Sequence, residues 1–386
     1  PPEVLQSALG TRYVGEMDRM FDTYAELLPM VVDHFRATIP KDPGDSDFVY
    51  RQAIRAKAFD SIRGLLPAAS LSNVGIYGTG QGYEQLLLRM RAHPLPEARS
   101  YADLMLSELR KVIPSFLKRV DLDQRGVAWS QYFEGSRNAM DDIAGRLFPA
   151  GTPIDPAPVV TLVDFDPDAE IKLVASALYP HLSLPESQIE EQVRRMTTEE
   201  RLSVLIAYEG DRANRRHKPG RALERPTYRF DVLADYGAFR DLQRHRMLTI
   251  DWQRLSPLHG YTKPEAVDEA GVGGRFDEAM ARSAALHDAM LAQFPHQAPY
   301  AVALAYRVRF SMDMNAREAM HLIELRTTPQ GHPAYRLVGQ EMHRLIAEKA
   351  GHTAIAAMMR FVDHSSEPEL ERLQAERRAE SRRLGS

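Results

Sequence analysis

Residues 315–326 read NAREAMHLIELR, and this stretch decides how the chain is interpreted. Its apolar residues recur at helical spacing, so it predicts a helix that opens at Asn315. Arg317, His321 and Glu324 share one face of that helix, while the two apolar residues after His321 point toward a core. Two interpretations of the polar face stay open: a titratable ligand-binding face, or a solvated face on which Arg317 and Glu324 are ordinary surface charges.

A second polar cluster, Arg244-His245-Arg246, stands at the end of a predicted helix over Tyr236–Arg246. Guanidinium groups bind phosphate oxygens bidentately and remain charged at any relevant pH. Two of them beside an imidazole therefore fit a clamp for an anion or a cofactor. The alternative is an exposed basic helix end, which the helix macrodipole favours.

Other local patterns outline further elements. The predicted helices, from apolar spacing and capping residues, are Phe21–Phe35, Tyr101–Val120, Ala169–Leu178 and a capped helix from Thr197 to Gly210. The predicted strands, from β-branched and aromatic runs, are Val159–Val163 and Thr227–Leu233.

Composition excludes several classes of protein. The 386 residues are 44% hydrophobic, enough for two or three average domains with buried cores. The net charge of -4 argues against a general nucleic-acid binder. No apolar run approaches the ~20 residues of a membrane span and no signal peptide is visible, so we expect a cytoplasmic protein with no membrane partner. The chain begins with Pro1, which predicts that upstream sequence is missing.

Cysteine and metal chemistry are not expected. The chain has no cysteine, which excludes disulfides, Cys-ligated zinc and every thiolate nucleophile. Its 13 histidines form no HExxH pair or other ligand spacing. The DFDPD stretch at 164–168 lacks the later Gly and Glu of a calcium loop. We therefore predict no metal site.

A weak internal repeat suggests a duplication. Residues 86–99 and 322–336 each place an Arg after an apolar run, then a loop with His and Pro, then a second Arg, and Arg89 corresponds to Arg326. The Pro- and Gly-rich stretch 148–158 predicts a linker. The predicted organisation is a partial first module over 1–147, the linker over 148–158, a second module over 159–366 and a charged tail over 367–386.

Further residues complete a family pattern. In the second half the pattern consists of His217, Leu223-Glu224, the strand TYRF, the RHR triplet and the 315–326 helix. In the first half it starts at Gly10-Thr11-Arg12-Tyr13 and runs through Arg63-Gly64-Leu65-Leu66-Pro67 to Arg89. In order and spacing these residues resemble the flavin-dependent thymidylate synthase family, in one and a half copies.

The resemblance implies a fold and a reaction. The fold is α+β, with two tandem thymidylate synthase-complementing-like modules, rich in helices and with a small, mostly antiparallel sheet. The reaction is reductive methylation of dUMP to dTMP, with FAD as hydride carrier and NADPH and methylenetetrahydrofolate as co-substrates. The family's homotetramers bind FAD and dUMP at subunit junctions, so we expect a duplicated chain to form a homodimer that mimics the tetramer. No protein nucleophile is required, which agrees with the absence of cysteine.

The resemblance also implies two groups of binding residues. Those for FAD would be His217, Glu224, Arg244, His245, Arg246, Asn315, Arg317 and His321. Those for dUMP would be Arg12, Arg63, Arg89 and Arg326, with Arg326 facing the pyrimidine.

Three departures from the family pattern keep other functions open. Residues 247–261 read MLTIDWQRLSPLHGY, without the Glu and paired Ser that the family carries after its RHR. Residues 297–301 lack the Arg of a second Arg-x-x-Leu-Pro segment, and His321 replaces an amide or small residue. The alternatives are a non-catalytic FAD- or nucleotide-binding homologue and a plain helical scaffold.

Overall fold

The computed structural model describes residues 1–149, 151–365 and 373–384. The described residues are mostly helical and include a four-stranded antiparallel sheet, so the predicted helix-rich α+β class is confirmed. Contacts group the chain into two units. Unit 1 comprises Pro1–Met17, Ala69–Pro156 and Ala285–Ala301, and unit 2 comprises Asp18–Ala68, Ala157–Ala284 and Val302–Ser386. Because both units are discontinuous in sequence, they do not test the module, linker and tail boundaries, which stay predictions.

The elements are numbered in chain order. The helices are α1 (Pro2–Leu5), α2 (Gly10–Thr38), α3 (Asp47–Ile62), α4 (Gly80–Arg91), α5 (Pro96–Leu109), α6 (Pro114–Leu117), α7 (Ala128–Leu147), α8 (Ala169–Leu178), α9 (Glu186–Arg195), α10 (Thr198–Glu209), α11 (Tyr236–Leu242), α12 (Glu265–Glu269), α13 (Gly273–Leu291), α14 (Ala316–Arg326), α15 (Pro333–Glu348), α16 (Thr353–Met358) and α17 (Leu373–Leu384). The strands are β1 (Val160–Phe165), β2 (Thr227–Asp235), β3 (Leu248–Trp252) and β4 (Arg307–Asn315).

The sheet has the order β1-β2-β4-β3 and organises the core of unit 2. Alternate residues of β2 and β4, such as Phe230 and Phe310, are buried, as expected for a sheet with one face on a core. The register pairs Thr227 with Asn315, so β4 ends beside the start of β2. The helix α14 therefore begins at a fixed place at the sheet's edge, where the Ala316 amide donates to Pro226 O.

Several predicted elements are confirmed. Phe21–Phe35 lies within α2, Ala169–Leu178 is α8, and the predicted strands lie in β1 and β2. Helix α10 has the predicted capping box between Thr197 and Glu200, and it stops at Gly210, whose φ of 64° suits glycine.

Two predicted helices are wrong in their extent. Tyr101–Val120 is not continuous: α5 ends at Leu109, and a new short helix starts at Pro114, which cannot donate the hydrogen bond that a continuing helix needs. The helix predicted over Tyr236–Arg246 ends at Leu242. The Asp241 carbonyl, which would accept a backbone hydrogen bond in a further helical turn, accepts one from the Arg326 side chain of α14 instead. The strands β3 and β4 were not predicted.

The core of unit 2 contains a buried histidine. His352 Nδ1 lies 2.9 Å from the Tyr228 hydroxyl, and the ring meets Phe165 edge to face. Burial lowers the pKa of His352. Since the folded protein keeps this ring neutral where the unfolded chain is protonated, stability is lost as pH falls below about 6.5, the usual histidine pKa.

We therefore expect His352→Gln to reduce the loss of unfolding free energy between pH 7 and pH 5.5. The reduction has an upper limit of about 1.4 kcal/mol per pH unit, the value of one proton. Urea unfolding at both pH values measures it, with exposed His181→Gln as the control. An unchanged pH slope would contradict this assignment.

No helix within residues 1–149, 151–365 and 373–384 combines the length and apolar character needed to cross a bilayer.

Candidate functional site

The Arg244-His245-Arg246 triplet forms the turn that leaves α11. Asp235 caps the start of α11 by accepting from the Ala238 amide, and the His245 amide donates to Leu242 O at its end. The three side chains have different surroundings. Arg244 and Arg246 are exposed, whereas His245 is buried. The triplet is therefore an exposed pair of cations around an anchored imidazole.

His245 is held by two residues of α14. Its Nδ1 lies 2.9 Å from Glu318 Oε1, and its Nε2 lies 3.0 Å from Arg326 Nε. Because a guanidinium group can only donate, Nε2 accepts, and the network assigns the proton to Nδ1, which donates to Glu318. Glu318, His245 and Arg326 form a chain of hydrogen bonds, called here the His245 network.

Arg326, at the end of α14, is a largely buried cation. One Nη donates to the Asp241 carbonyl, and the guanidinium lies 5.4 Å from the centre of the Tyr335 ring. Burial lowers the pKa of Arg326, although the group stays charged because its usual value is so high. These contacts fix its orientation before any ligand binds.

His321 lies beside the His245 network. Its ring meets that of His245 edge to face, with centroids 5.4 Å apart. Burial and, next, the positive charge of Lys218 lower the pKa of His321, so it is neutral near pH 7.

The ligand atoms of His245, Glu318 and His321 lie within 4.8 Å of one another, a spacing that a metal ion could use. The donor set does not fit a metal. Both His245 nitrogens are engaged, one of them by the Arg326 guanidinium, and a divalent cation would meet that charge and Lys218. The absence of a resident metal stays a prediction.

The surface around His321 carries surplus positive charge. Arg244 has one ion-pair partner, Asp241, at 3.5 Å. Within the residues that the structure describes, Arg246 and Lys218 have no hydrogen-bond or ion-pair partner. Uncompensated cations next to a half-buried polar cluster fit an anionic group such as a phosphate.

The start of α14 contributes Asn315 and Arg317. The Asn315 side chain caps the helix by accepting from the Glu318 amide. Arg317 Nη1 lies 3.2 Å from Glu224 Oε1, and its Nε donates to Pro219 O. Arg317 therefore faces the 217–224 segment, whereas the Asn315 side chain is used within α14 itself.

His217 is positioned through its backbone. Its carbonyl accepts from Arg212 Nε at 2.6 Å, and the Arg212 guanidinium binds both Glu324 oxygens, at 3.0 and 2.7 Å. Glu324 is only 1% exposed. The interpretation of Glu324 as an ordinary surface charge is therefore wrong, because Arg212 neutralises it inside unit 2.

Arg63 belongs to a different group, at the other end of α11. It lies 3.6 Å from Asp60, and its Nη2 is buried without a partner among the described residues. Burial raises the pKa of the nearby Asp235, while burial and then the charge of Arg63 lower the pKa of His332. A cavity of about 540 Å³ adjoins this group. It is lined in part by Lys57, Asp60, Ser61, His332, Arg336 and Gln340.

The remaining predicted residues, Arg12 and Arg89, lie in unit 1. Arg12 donates to the Ala285 carbonyl at 3.2 Å, and Arg89 lies 5.7 Å from the centre of the Phe133 ring. These contacts, to a backbone carbonyl and an aromatic ring, do not test whether Arg12 and Arg89 bind dUMP. Their assignment to dUMP therefore stays a prediction.

Sequence reasoning missed three residues that hold this site together: Glu318, Asp241 and Arg212. Glu318 had a usable signal, since it precedes His321 by three positions and so shares a face of α14. Asp241 contributes a backbone carbonyl, and Arg212 pairs with a residue 112 positions away, so neither has a local signature.

A family model and three known proteins are similar to this chain. Residues 161–351 match the family model described as thymidylate synthase complementing protein. A UPF0159 protein of Chlamydia muridarum is 36% identical over 98% of this chain and 71% of its own length, and one of Chlamydia pneumoniae has the same identity and coverage. A UPF0159 protein of Thermoplasma acidophilum is 29% identical over 96% of this chain and 77% of its own.

Remote similarity extends to solved structures. The UMP/dUMP methylase PolB from Streptomyces cacaoi, bound with 5-Br dUMP, gives a TM-score of 0.39 at 19% identity, covering 51% of this chain and 94% of that chain. This likeness is too distant to carry an argument about the site.

The fold and site together define a helix-rich α+β protein with a preorganised cluster of cations. The family match and the relatives also show the family. The chain belongs to the flavin-dependent thymidylate synthase family, which confirms the resemblance.

Proposed function

We propose that this protein methylates dUMP to dTMP, with methylenetetrahydrofolate as carbon donor, NADPH as reductant and FAD as cofactor. The observation that carries the proposal is the His245 network, in which RHR and the 315–326 helix of the family pattern meet in one site. FAD, when bound, would carry the hydride. The protein would supply binding, orientation and charge, since no nucleophile is needed.

The chain's own residues divide this work. Arg244 and Arg246 supply exposed charge for FAD phosphates, and Arg317 and Asn315 hold the opposite edge of the site with His217 and Glu224. His321 adds a neutral imidazole, which replaces the amide or small residue of the family.

Arg326 would orient the pyrimidine. Its Nε is committed to His245 and one Nη to the Asp241 carbonyl, while the other Nη lies 3.6 Å from the Asp241 carboxylate. Each Nη carries two N–H groups, so one of them would donate to a uracil oxygen. A fixed donor costs no reorganisation when charge develops on that oxygen. Arg63, with its unpartnered Nη2, and Arg12 and Arg89 are proposed contacts for the nucleotide and its phosphate.

We also propose that the chain is a tandem duplication that pairs as a homodimer. Two helix pairs support the duplication: α4 and α14 each carry the repeat's first Arg, Arg89 or Arg326, in the last turn. The following helices, α5 and α15, both begin with proline, Pro96 and Pro333.

A second candidate is a non-catalytic FAD- or nucleotide-binding homologue. The observation in its favour is the 247–261 segment, where β3 occupies the place of the family's Ser- and Glu-containing stretch.

Tritium release from 5-labelled dUMP tests the proposal. FAD-loaded protein should release tritium only when NADPH and methylenetetrahydrofolate are both present. Protein that shows the blue absorbance of bound FAD but releases no tritium would support the non-catalytic homologue. A colourless protein that does not take up FAD would overturn both and favour a helical scaffold.

Arg244→Ala should weaken FAD binding about 10- to 100-fold, because it removes a charge-assisted contact worth about 1.5–3 kcal/mol. Titration of apoprotein with FAD, followed by flavin fluorescence, measures the change. Arg195→Ala is a matched control, since Arg195 is 66% exposed against 69% for Arg244 and also has a carboxylate partner on its own segment. Equal affinities for the two variants would contradict the Arg244 assignment.

A further inference from the structure

The helix α7 of unit 1 is attached along one side only. Ser130 donates to the Leu88 carbonyl at 3.1 Å, Arg137 donates to the Ala92 carbonyl, and Phe133 packs on the small core of unit 1. None of the twenty residues of α7 is buried. Several large apolar residues of α7 outside this attached side are exposed.

An apolar row follows α7 on a side next to the attached one. We call it the α7 stripe: Trp129, Tyr132, Ser136, Met140, Ile143 and Leu147. Successive members are three or four positions apart, so they share one helical face. The five apolar members are between 38% and 71% exposed. A contiguous exposed patch of large apolar side chains marks an interaction surface rather than ordinary solvent exposure.

We propose that the α7 stripe is a homodimer interface, in which it pairs antiparallel with the same stripe on a second copy. The spacing is nearly palindromic about residue 138. Trp129 would then face Leu147 of the other copy, and Met140 would face Ser136. A two-fold interface requires this self-complementarity, because each contact occurs twice with the roles exchanged.

Side-chain size fits the same pairing. Ser136 is the small member of the stripe and opposes Met140, an unbranched side chain that fills irregular gaps. The large Trp129 lies at one end of the stripe, where it would face Leu147 at the C-terminal end of α7 in the other copy. A row of this kind suits pairing with a second copy of the same helix.

The available area is also sufficient. Aromatic side chains bury about 150–250 Å² when fully covered. The stripe has two aromatic residues, each at least half exposed, and three other apolar residues. On that scale its exposed apolar area is roughly 500 Å² per copy. Two copies reach about 1,000 Å², the lower limit for a specific interface.

This inference rests on the homodimer in the proposed function, and the α7 stripe contains none of the residues proposed to bind FAD or dUMP. We expect sedimentation velocity to show a dimer for the natural sequence at micromolar concentration. Met140→Glu should weaken dimerisation at least 100-fold, because it places two carboxylates in an apolar seam. Its circular dichroism and thermal midpoint as a monomer should stay near natural, since Met140 is exposed within one copy.

Leu258→Glu is the control: it changes an exposed leucine in unit 2 and should leave the dimer intact. Should Met140→Glu misfold, Leu147→Glu in the last turn of α7 makes the same test. A monomeric natural protein, or a dimer that survives both charged substitutions, would overturn the proposal. A monomer that still releases tritium would overturn only the pairing, whereas a dimer without tritium release would overturn only the catalytic proposal.

The chain has no cysteine, so introduced cysteines report the register directly. Trp129→Cys and Leu147→Cys proteins should form a disulfide-linked dimer when mixed and mildly oxidised, and neither should do so alone. Cross-linking of Trp129→Cys with itself would indicate parallel helices and overturn the antiparallel pairing, as would no cross-link in the mixture.

Discussion

Replacing Arg212 with alanine should lower the free energy of unfolding by about 3–5 kcal/mol, the range for breaking a buried ion pair. The Arg212 guanidinium binds both oxygens of Glu324 and the carbonyl of Met358, while its Nε binds the carbonyl of His217. Without it, the buried Glu324 carboxylate loses its countercharge, and two backbone carbonyls lose a hydrogen-bond donor. The loss should exceed that of any single surface substitution.

Urea unfolding measures the effect, and two variants define its origin. Arg221→Ala also removes an arginine from a glutamate, but Arg221 is exposed, so the loss should be far smaller than for Arg212→Ala. Arg212→Met combined with Glu324→Leu should recover most of the stability, because it removes both charges together. A loss below 1 kcal/mol for Arg212→Ala would contradict the buried pair.

Arg212→Ala should also weaken FAD binding, because the 217–224 segment loses its attachment to α14. The double variant separates the two effects. It should restore stability without restoring the bond to the His217 carbonyl, so FAD affinity should stay reduced.

Arg326→Gln should reduce tritium release from dUMP by about 10²–10³-fold, the usual cost of removing one preorganised donor from a site of developing charge. The glutamine cannot supply the charge, and it also leaves His245 Nε2 without its donor. FAD content should change much less, since the exposed cations of the RHR triplet remain. Tritium release per bound FAD is therefore the measurement.

Tyr335→Leu is the matched control for this experiment. It removes the ring that stacks on Arg326 and keeps the guanidinium with its bonds to His245 and Asp241, so activity should fall far less. Activity within tenfold of natural for Arg326→Gln would contradict the proposed contact with the pyrimidine. Equal losses for both variants would indicate a packing role for Arg326.

Part of the candidate site could be predicted from the sequence. RHR and the 315–326 helix were identified from order and spacing, and the structure brings His245, His321 and Arg326 together within unit 2. The structure places Arg63 in a separate group around Asp235 and His332. Glu318, which fixes the His245 tautomer, was not identified because its position near the start of α14 suits an ordinary helix cap.

The sequence alone determined the local elements and the family. Asn315 at the start of α14 and Thr197 at the start of α10 act on amides within one turn, so their signals survive in a few consecutive residues. Only the tertiary structure decided which polar residues are buried and paired. Glu324 and Arg212 are 112 positions apart, and His245 and Glu318 are 73 positions apart. Periodicity cannot specify such pairs, because the charge that stabilises each buried group comes from a distant segment placed there by packing.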